Sequence, residues 1–206
     1  MILKSVPVGA YQENCYFLID ETTNEAVIFD PGAQENLIFA VVERLNIKPV
    51  MILLTHGHFD HVGSVEAVRS KYNIPFYINK TDEEMQKVDN QLFMNIVKAD
   101  NYLNDGDKIT FGNGKEIKVI TTPGHTPGGV CFLCEDILVT GDTLFNGSIG
   151  RTDFTGGDFN TLISSIKNKV LPLGDSIRAF PGHGPETTIG YERNNNPYIL
   201  GDEYVY

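Results

Sequence analysis

The run His56-Gly57-His58-Phe59-Asp60-His61 holds three of the five histidines of this 206-residue chain, together with a carboxylate. Histidines two residues apart can approach one ion from adjacent directions, and the glycine between them permits a tight backbone path. Asp60 and His61 are displaced around the turn and would face a second ion. Imidazole and carboxylate ligands without a thiolate suit zinc, manganese or iron. The run therefore predicts a metal site.

The two remaining histidines each follow a Pro-Gly pair, in Pro123-Gly124-His125 and Pro181-Gly182-His183. Asp142 lies between them in the chain and follows the strand-like run 137–139. A lone Asp after Gly is usually a turn residue or a helix cap, so Asp142 is a candidate only through its place in this series. Because each candidate group follows a predicted strand, loops at one edge of a sheet scaffold would bring them together.

Hydrophobic patterning predicts strands first and then an alternation of strands and helices. The predicted strands cover residues 2–8, 15–20, 26–30, 50–54, 75–78, 108–111, 116–121, 130–133, 137–139 and 176–180. The predicted helices cover residues 36–46, 62–72, 82–97 and 160–170. The length and the hydrophobic content of 41% fit one globular domain with a substantial core.

The net charge of −11 argues against nucleic acid and anionic membranes as partners, because phosphate binding needs clustered Lys and Arg. No apolar run approaches the roughly 18 residues of a membrane-spanning helix, and the interrupted N-terminal segment is typical of strands rather than a signal peptide. Three cysteines, an odd number, fit a reducing compartment, so the predicted location is the cytoplasm. Cys131 and Cys134 lie in an apolar run without a second pair, which favours core packing over a zinc or redox role.

Four segments together resemble the metallo-β-lactamase superfamily, namely residues 56–61, 123–128, 140–143 and 181–185. Within it the chain is most similar to small glyoxalase II-like hydrolases, over about residues 14–197. The resemblance implies one domain over residues 1–206, with residues 191–206 as a C-terminal tail. It also implies an α/β fold, a four-layered αββα sandwich, with the site at one edge of the two sheets.

The resemblance divides the candidate ligands into a first set, His56, His58 and His125, and a second set, Asp60, His61 and His183, with Asp142 as the bridge. The implied cofactors are two divalent metal ions, zinc in the first place, with iron or manganese as alternatives. A metal-bridging hydroxide would attack a small acyl thioester or ester, with S-lactoylglutathione as the candidate substrate. Asp60 would orient this hydroxide or carry its proton.

Arg151 is the candidate substrate-binding residue, in a glycine-rich rim that follows Asp142. It is a partial match to a lysine that helps to hold glutathione in glyoxalase II, and the alternative is a surface pair with Asp153. Pro185 stands where glyoxalase II usually has a tyrosine. The tail is also too short for the helical domain that clasps glutathione in larger members. The resemblance therefore leaves the acyl carrier open.

The alternative function is a mononuclear iron persulfide dioxygenase, because residues 150–154 also resemble that branch of the superfamily. There a single iron would be held by His56, His125 and Asp142, a triad with open positions for oxygen. The 181–185 segment favours the hydrolases. A β-lactamase is disfavoured by the predicted location, a nuclease by the acidic charge, and a non-catalytic binding protein by the complete ligand set. Asp30 is expected either to accept a hydrogen bond from a ligand histidine or to form an Asx turn.

Overall fold

Two six-stranded sheets stack on each other in the computed structural model, which describes residues 1–94 and 96–201. The first sheet has the order β1-β2-β3-β4-β5-β6, antiparallel from β1 to β3 and parallel from β3 to β6. Its strands are β1 (Ile2–Val8), β2 (Glu13–Ile19), β3 (Glu25–Phe29), β4 (Lys48–Leu53), β5 (Phe76–Ile78) and β6 (Asn101–Tyr102).

The second sheet has the order β14-β13-β10-β9-β8-β7, and its one parallel pair joins β10 to β13. Its strands are β7 (Lys108–Phe111), β8 (Lys115–Thr121), β9 (Val130–Cys134), β10 (Ile137–Gly141), β13 (Arg178–Pro181) and β14 (Thr187–Thr188). A short hairpin of β11 (Leu144–Phe145) and β12 (Ser148–Ile149) follows β10.

Helices cover the outer faces of both sheets. They are α1 (Glu35–Leu45), α2 (Phe59–Val62), α3 (Val65–Tyr72), α4 (Lys80–Met85), α5 (Phe159–Ser165), α6 (Ile189–Asn195) and α7 (Pro197–Leu200). Helix α5 continues into a π-helical turn at Ile166–Val170 and a 3-10 turn at Leu171–Leu173. Within the described ranges, no helix has both the length and the apolar character needed to cross a membrane.

Alternation along the strands builds the layers, because successive side chains of a strand point to opposite faces. In β3, Val27 and Phe29 face the second sheet, where the ring of Phe29 lies 5.2 Å from that of Phe132. Ile28, between them, faces the opposite way and packs with Val41 of α1. Both faces of the first sheet are therefore buried.

The second sheet is buried in the same way. Leu138 of β10 packs outward against Leu162 of α5 and Ile166 of the π-helical turn, while Val139 faces the first sheet. The resulting order is helices, sheet, sheet, helices. The predicted four-layered αββα sandwich is confirmed.

The predicted helix over residues 82–97 is wrong beyond its first turns, since α4 ends at Met85. Beyond α4 the chain forms isolated turns, and the side chain of Asp89 accepts from the backbone N–H groups of Gln91 and Leu92. Val88 is 68% exposed, whereas Phe93 is buried and forms an isolated bridge with His58. Residues 86–94 therefore form turns that reach the candidate site at His58.

The prediction that Cys131 and Cys134 pack in the core is confirmed. The three cysteines are free and buried, as core packing requires. The beginning of the tail docks on the second sheet through α6 and α7, with Ile199 buried. The tail residues Tyr204 and Tyr206 lie outside the described residues.

Candidate metal centre

The candidate ligands follow four strands that end at one edge of the sandwich. Strand β4 leads to the run that begins at His56, and β8 leads to His125. Strand β10 ends one residue before Asp142, and β13 ends two residues before His183. Side chains far apart in the sequence therefore converge, as loops at the edge of a sheet scaffold allow.

His56, His58 and His125 form the first donor group, which we call the three-histidine group. The Nδ1 atom of His58 lies 3.1 Å from Nε2 of His56 and 3.0 Å from Nε2 of His125. All three rings are buried. Burial and the neighbouring histidines lower the pKa of His56 and His125 and bring that of His58 to about 3. The rings are therefore neutral near pH 7, which is the form that binds a metal.

Asp60, His61 and His183 form a second donor group beside it. The Oδ2 atom of Asp60 lies 3.3 Å from Nε2 of His183. Nε2 of His61 is buried without a hydrogen-bond partner among the described residues. A buried polar atom left in this way needs a partner of some kind, and a cation supplies one.

Asp142 lies between the two groups. Its Oδ2 atom is 3.5 Å from Nε2 of His125 and 3.7 Å from Nε2 of His183. Its Oδ1 atom is 3.5 Å from Nε2 of His61 and has no hydrogen-bond partner in the described part of the chain. Burial opposes its ionisation, but the adjacent histidines, His61 foremost, lower the pKa of this carboxyl below its usual value. The donor set fits a pair of divalent cations with a carboxylate between them.

A hydrogen-bond chain fixes how His56 and His61 are turned. The carboxylate of Asp30 accepts from the backbone N–H of Thr55 at 2.7 Å and from its hydroxyl at 2.6 Å, and Nδ1 of His61 lies 3.0 Å from it. Because the Thr55 hydroxyl donates to Asp30, it accepts from Nδ1–H of His56 at 3.0 Å. Both rings therefore turn Nε2 towards the centre, as expected of metal-ligating histidines. Of the two expected roles of Asp30, the structure shows the contact to a histidine.

Backbone carbonyls orient two more of the five rings, those of His125 and His183. Nδ1 of His125 lies 2.7 Å from the carbonyl oxygen of Arg151, and Nδ1 of His183 lies 3.1 Å from that of Tyr11. Sequence reasoning missed both contacts, because a carbonyl acceptor depends on the path of the backbone and not on residue identity. Asn14 adds to this, since its amide donates to the carbonyls of Pro181 and Gly184 and so holds the loop of His183.

Glu13 is the buried acid nearest the centre that the sequence did not reveal. Its side chain is fully buried, with Oε1 3.9 Å from Nδ1 of His61. Neither oxygen has a hydrogen-bond partner among the described residues. Burial, the largest influence, raises the pKa of this carboxyl well above its usual value and so favours its neutral form. A polar residue at the start of an otherwise apolar strand is the one signal that could have marked it.

Arg151 lies at the rim and is exposed. Its guanidinium pairs with Asp153 at 2.7 Å and lies 4.1 Å from the centre of the Phe154 ring. The surface pair expected as the alternative is therefore present, and a substrate role for Arg151 stays a prediction. Phe154 and Phe93 flank the ring of His58, at 5.9 and 4.7 Å between ring centroids.

A cleft of about 600 Å³ lies beside the centre. Its lining includes Phe59, the residue before Asp60, together with Gln34, Gln91 and Met94. The cleft presents amide and apolar groups together with the hydroxyl of Ser64 and the carboxylate of Glu35, which suits the non-reacting part of a small polar molecule.

The chain belongs to the metallo-beta-lactamase superfamily, whose family model matches residues 8–183. It is 37% identical to hydroxyacylglutathione hydrolase GloC of Haemophilus influenzae, over 97% of this chain and 98% of that protein. It is 36% identical to the probable metallo-hydrolase YqgX of Bacillus subtilis, over 96% of this chain and 97% of that protein.

Solved structures give the same family. The crystal structure of BLEG-1 B3 metallo-beta-lactamase superimposes with a TM-score of 0.89 and 39% identity, over 97% of this chain and all of that one. The crystal structure of ETHE1 from Myxococcus xanthus superimposes with a TM-score of 0.85 and 27% identity, over 98% of this chain and 85% of that one. The crystal structure of TTHA1623 in a di-iron-bound form superimposes with a TM-score of 0.82 and 33% identity, over 95% of this chain and 99% of that one.

Proposed function

We propose that this protein is a binuclear metal-dependent hydrolase of a small acyl thioester or ester, with S-lactoylglutathione as the candidate substrate. The observation that carries the proposal is Asp142, whose two oxygens face nitrogens of both donor groups at 3.5 to 3.7 Å. Support comes from the 37% identity to GloC, named as a hydroxyacylglutathione hydrolase, over nearly the whole of both chains.

His56, His58 and His125 would hold one cation, Asp60, His61 and His183 the other, and Asp142 would contact both. Zinc is the first candidate, and iron or manganese fit the same donors. Two divalent cations would polarise the acyl carbonyl and lower the pKa of a water molecule from about 15.7 towards about 7. Burial raises the pKa of Asp60, but this side chain is only partly buried, and the contact with His183 lowers its pKa below the usual value. Asp60 is thus an ionised carboxylate that can orient the attacking water and accept its proton.

Binding of the substrate would use the rim and the cleft beside Phe59. Arg151 is accessible, and a substrate carboxylate would replace Asp153 in a paired contact with its guanidinium. The amide side chains of the cleft would contact the carrier of the acyl group. Two bound cations would also give the site a local positive potential in a chain of net charge −11, which attracts an anionic substrate.

We further propose that residues 1–206 form one domain that works in the cytoplasm. The three hydrophobic clusters share the two sheets, which supports a single folding unit over the described residues. Three buried thiols without a disulfide suit a reducing compartment.

The test is hydrolysis of S-D-lactoylglutathione by protein reconstituted separately with zinc, manganese and iron, with metal per chain counted in the same samples. Fast turnover at two metals per chain is the expected result. Two bound metals without turnover would indicate a hydrolase whose substrate does not contain glutathione. A β-lactam belongs in the same assay, because the similar BLEG-1 is named as a metallo-beta-lactamase.

The second candidate is the mononuclear iron persulfide dioxygenase. It is favoured by the segment 150–154 and by the likeness to ETHE1 at 27% identity. In that case the protein would hold one tightly bound iron, would not hydrolyse the thioester, and would consume oxygen in the presence of glutathione persulfide.

A further inference from the structure

Asp82 is a buried acid outside the centre, on the first turn of α4, and it is 1% exposed. Its Oδ2 atom accepts from the backbone N–H of Gly57 at 2.9 Å and from the hydroxyl of Thr126 at 2.8 Å. Its Oδ1 atom accepts from the backbone N–H of Gly128 at 2.6 Å. A carboxylate can only accept, so three donors match it where a neutral amide would not.

The three donors come from two different loops. Gly57 lies between His56 and His58, and Thr126 directly follows His125. One side chain thus connects the two segments that supply the three-histidine group. Hydrogen bonds to a charged acceptor are stronger than neutral ones, so this connection resists a change in loop spacing.

Helix α4, which carries Asp82, is itself held in place by the side chain of Asn79. Asn79 caps the helix by accepting from the backbone N–H of Thr81, and its amide donates to the carbonyl of Leu103. The approach of the loops is close: a Cβ placed on Gly128 would lie 2.6 Å from Oδ1 of Asp82. Such contacts essentially never occur, so this glycine is what permits the carboxylate to reach the backbone.

We infer that Asp82 is a positioning residue, which sets the distance between the loop of His56 and His58 and the loop of His125. The inference rests on the proposed metal centre but not on any choice of substrate. Burial raises the pKa of Asp82 to about 6, so the side chain is ionised at pH 7.5, where its acceptor role is complete.

The test compares Asp82→Asn with Glu83→Gln in the zinc-loaded protein. Glu83 is the matched control because it is the next residue of the same helix and also a buried carboxylate. It accepts from a backbone N–H, that of Ala99, and from a hydroxyl, that of Tyr102, neither of which lies next to a candidate ligand. Asp82→Asn places an amide nitrogen against one of the donors, while Glu83→Gln makes the same change away from the centre.

Zinc affinity is measured by competition with a chromophoric chelator at pH 7.5, and cobalt substitution gives the absorption spectrum of the bound metal. Asp82→Asn is expected to weaken one of the two metals by about 10- to 100-fold, as outer contacts of metal ligands do. The cobalt spectrum should change in the same variant. Glu83→Gln should bind both metals within about threefold of the wild type, with an unchanged spectrum.

Thr126→Val removes one of the donors to Asp82 with little change in side-chain volume. This variant tests the inference if Asp82→Asn does not fold. A loss of about 3- to 10-fold in zinc affinity supports the inference. Wild-type affinity and an unchanged cobalt spectrum in Asp82→Asn, or in Thr126→Val alone if only that variant folds, would overturn it. An equal loss in Glu83→Gln would also overturn it. A wild-type chain that fails to bind two metals would instead refute the proposed binuclear function.

Discussion

Replacing Gly182 by alanine tests the arrangement around Asp142 most directly. A Cβ on Gly182 would collide with Oδ1 of Asp142 and would lie 2.7 Å from Cε1 of His61. One methyl group therefore enters the space between the bridging candidate and a ligand of the second donor group. The three atoms nearest to this methyl belong to Asp142, His61 and Gly141, and none belongs to the three-histidine group.

The size of the effect follows from the overlap. Carbon atoms in contact lie about 3.5–4.0 Å apart, so the contact with His61 is about 1 Å too short. Functional groups must be held within about 0.5 Å of the productive geometry, and a displacement of about 1 Å costs about 100-fold in rate. We therefore expect kcat/KM to fall by about 100-fold, or about 3 kcal/mol of transition-state stabilisation.

The assay is steady-state hydrolysis of S-D-lactoylglutathione, with bound zinc counted by elemental analysis. Gly184→Ala is the control two residues away, where a Cβ has no atom within 4 Å and the φ angle is +78°. It should lose about 1–2 kcal/mol of stability through backbone strain but retain two metals and turnover within about threefold. Gly182→Ala should hold only one metal per chain. Two metals and near-normal kcat/KM in Gly182→Ala would refute the assignment of Asp142 and His61 to one centre.

Three other outcomes are expected. Asp60→Asn should reduce kcat by at least about 100-fold, because the amide cannot accept a proton; turnover near that of the wild type would remove Asp60 from the chemistry. Arg151→Ala should raise KM for S-lactoylglutathione about 10-fold with little change in kcat, and an equal effect on a thioester without carboxylates would exclude a carboxylate contact. The folded pKa of Asp82, about 6, lies above its unfolded value of about 3.9. The contribution of Asp82 to stability should therefore fall by about 2 kcal/mol as the pH rises from 4 to 6. Equilibrium unfolding of the wild type and Asp82→Asn across this range measures the fall, and parallel curves would contradict it.

Much of the fold and the place of the candidate ligands could be predicted from the sequence. Strands buried on both faces have continuous apolar runs, and the candidate groups follow those runs directly. His125 and His183 could be placed because Pro-Gly marks the end of a strand. The helix prediction failed over residues 86–94 because the apolar residues there do not share one buried face: Phe93 is buried, whereas Val88 and Met94 are exposed.

The contacts behind the ligands could not be predicted in the same way. Asp82 meets Gly57 and Gly128, which lie 25 and 46 positions away, so no local pattern connects them. Glu13 reaches His61 only because β2 borders the loop that carries it. Local patterns describe which face of an element is buried, whereas these contacts depend on how separate elements meet.

The acids around His61 indicate how bound cations would stabilise this edge of the fold. Asp30 and Asp142 contact His61 from opposite ring nitrogens, at 3.0 and 3.5 Å. Despite burial, these carboxylates raise the pKa of His61 well above its usual value, because they favour a positive charge on its ring. A divalent cation at Nε2 would supply more positive charge to Asp60 and Asp142. A cation that binds the folded chain but not the unfolded chain stabilises the fold by RT ln(1 + [L]/Kd), which is about 4 kcal/mol when the cation concentration is about 1,000 times Kd. Bound cations would therefore offset the cost of burying these acids, and the stability of the sandwich would rise with metal binding.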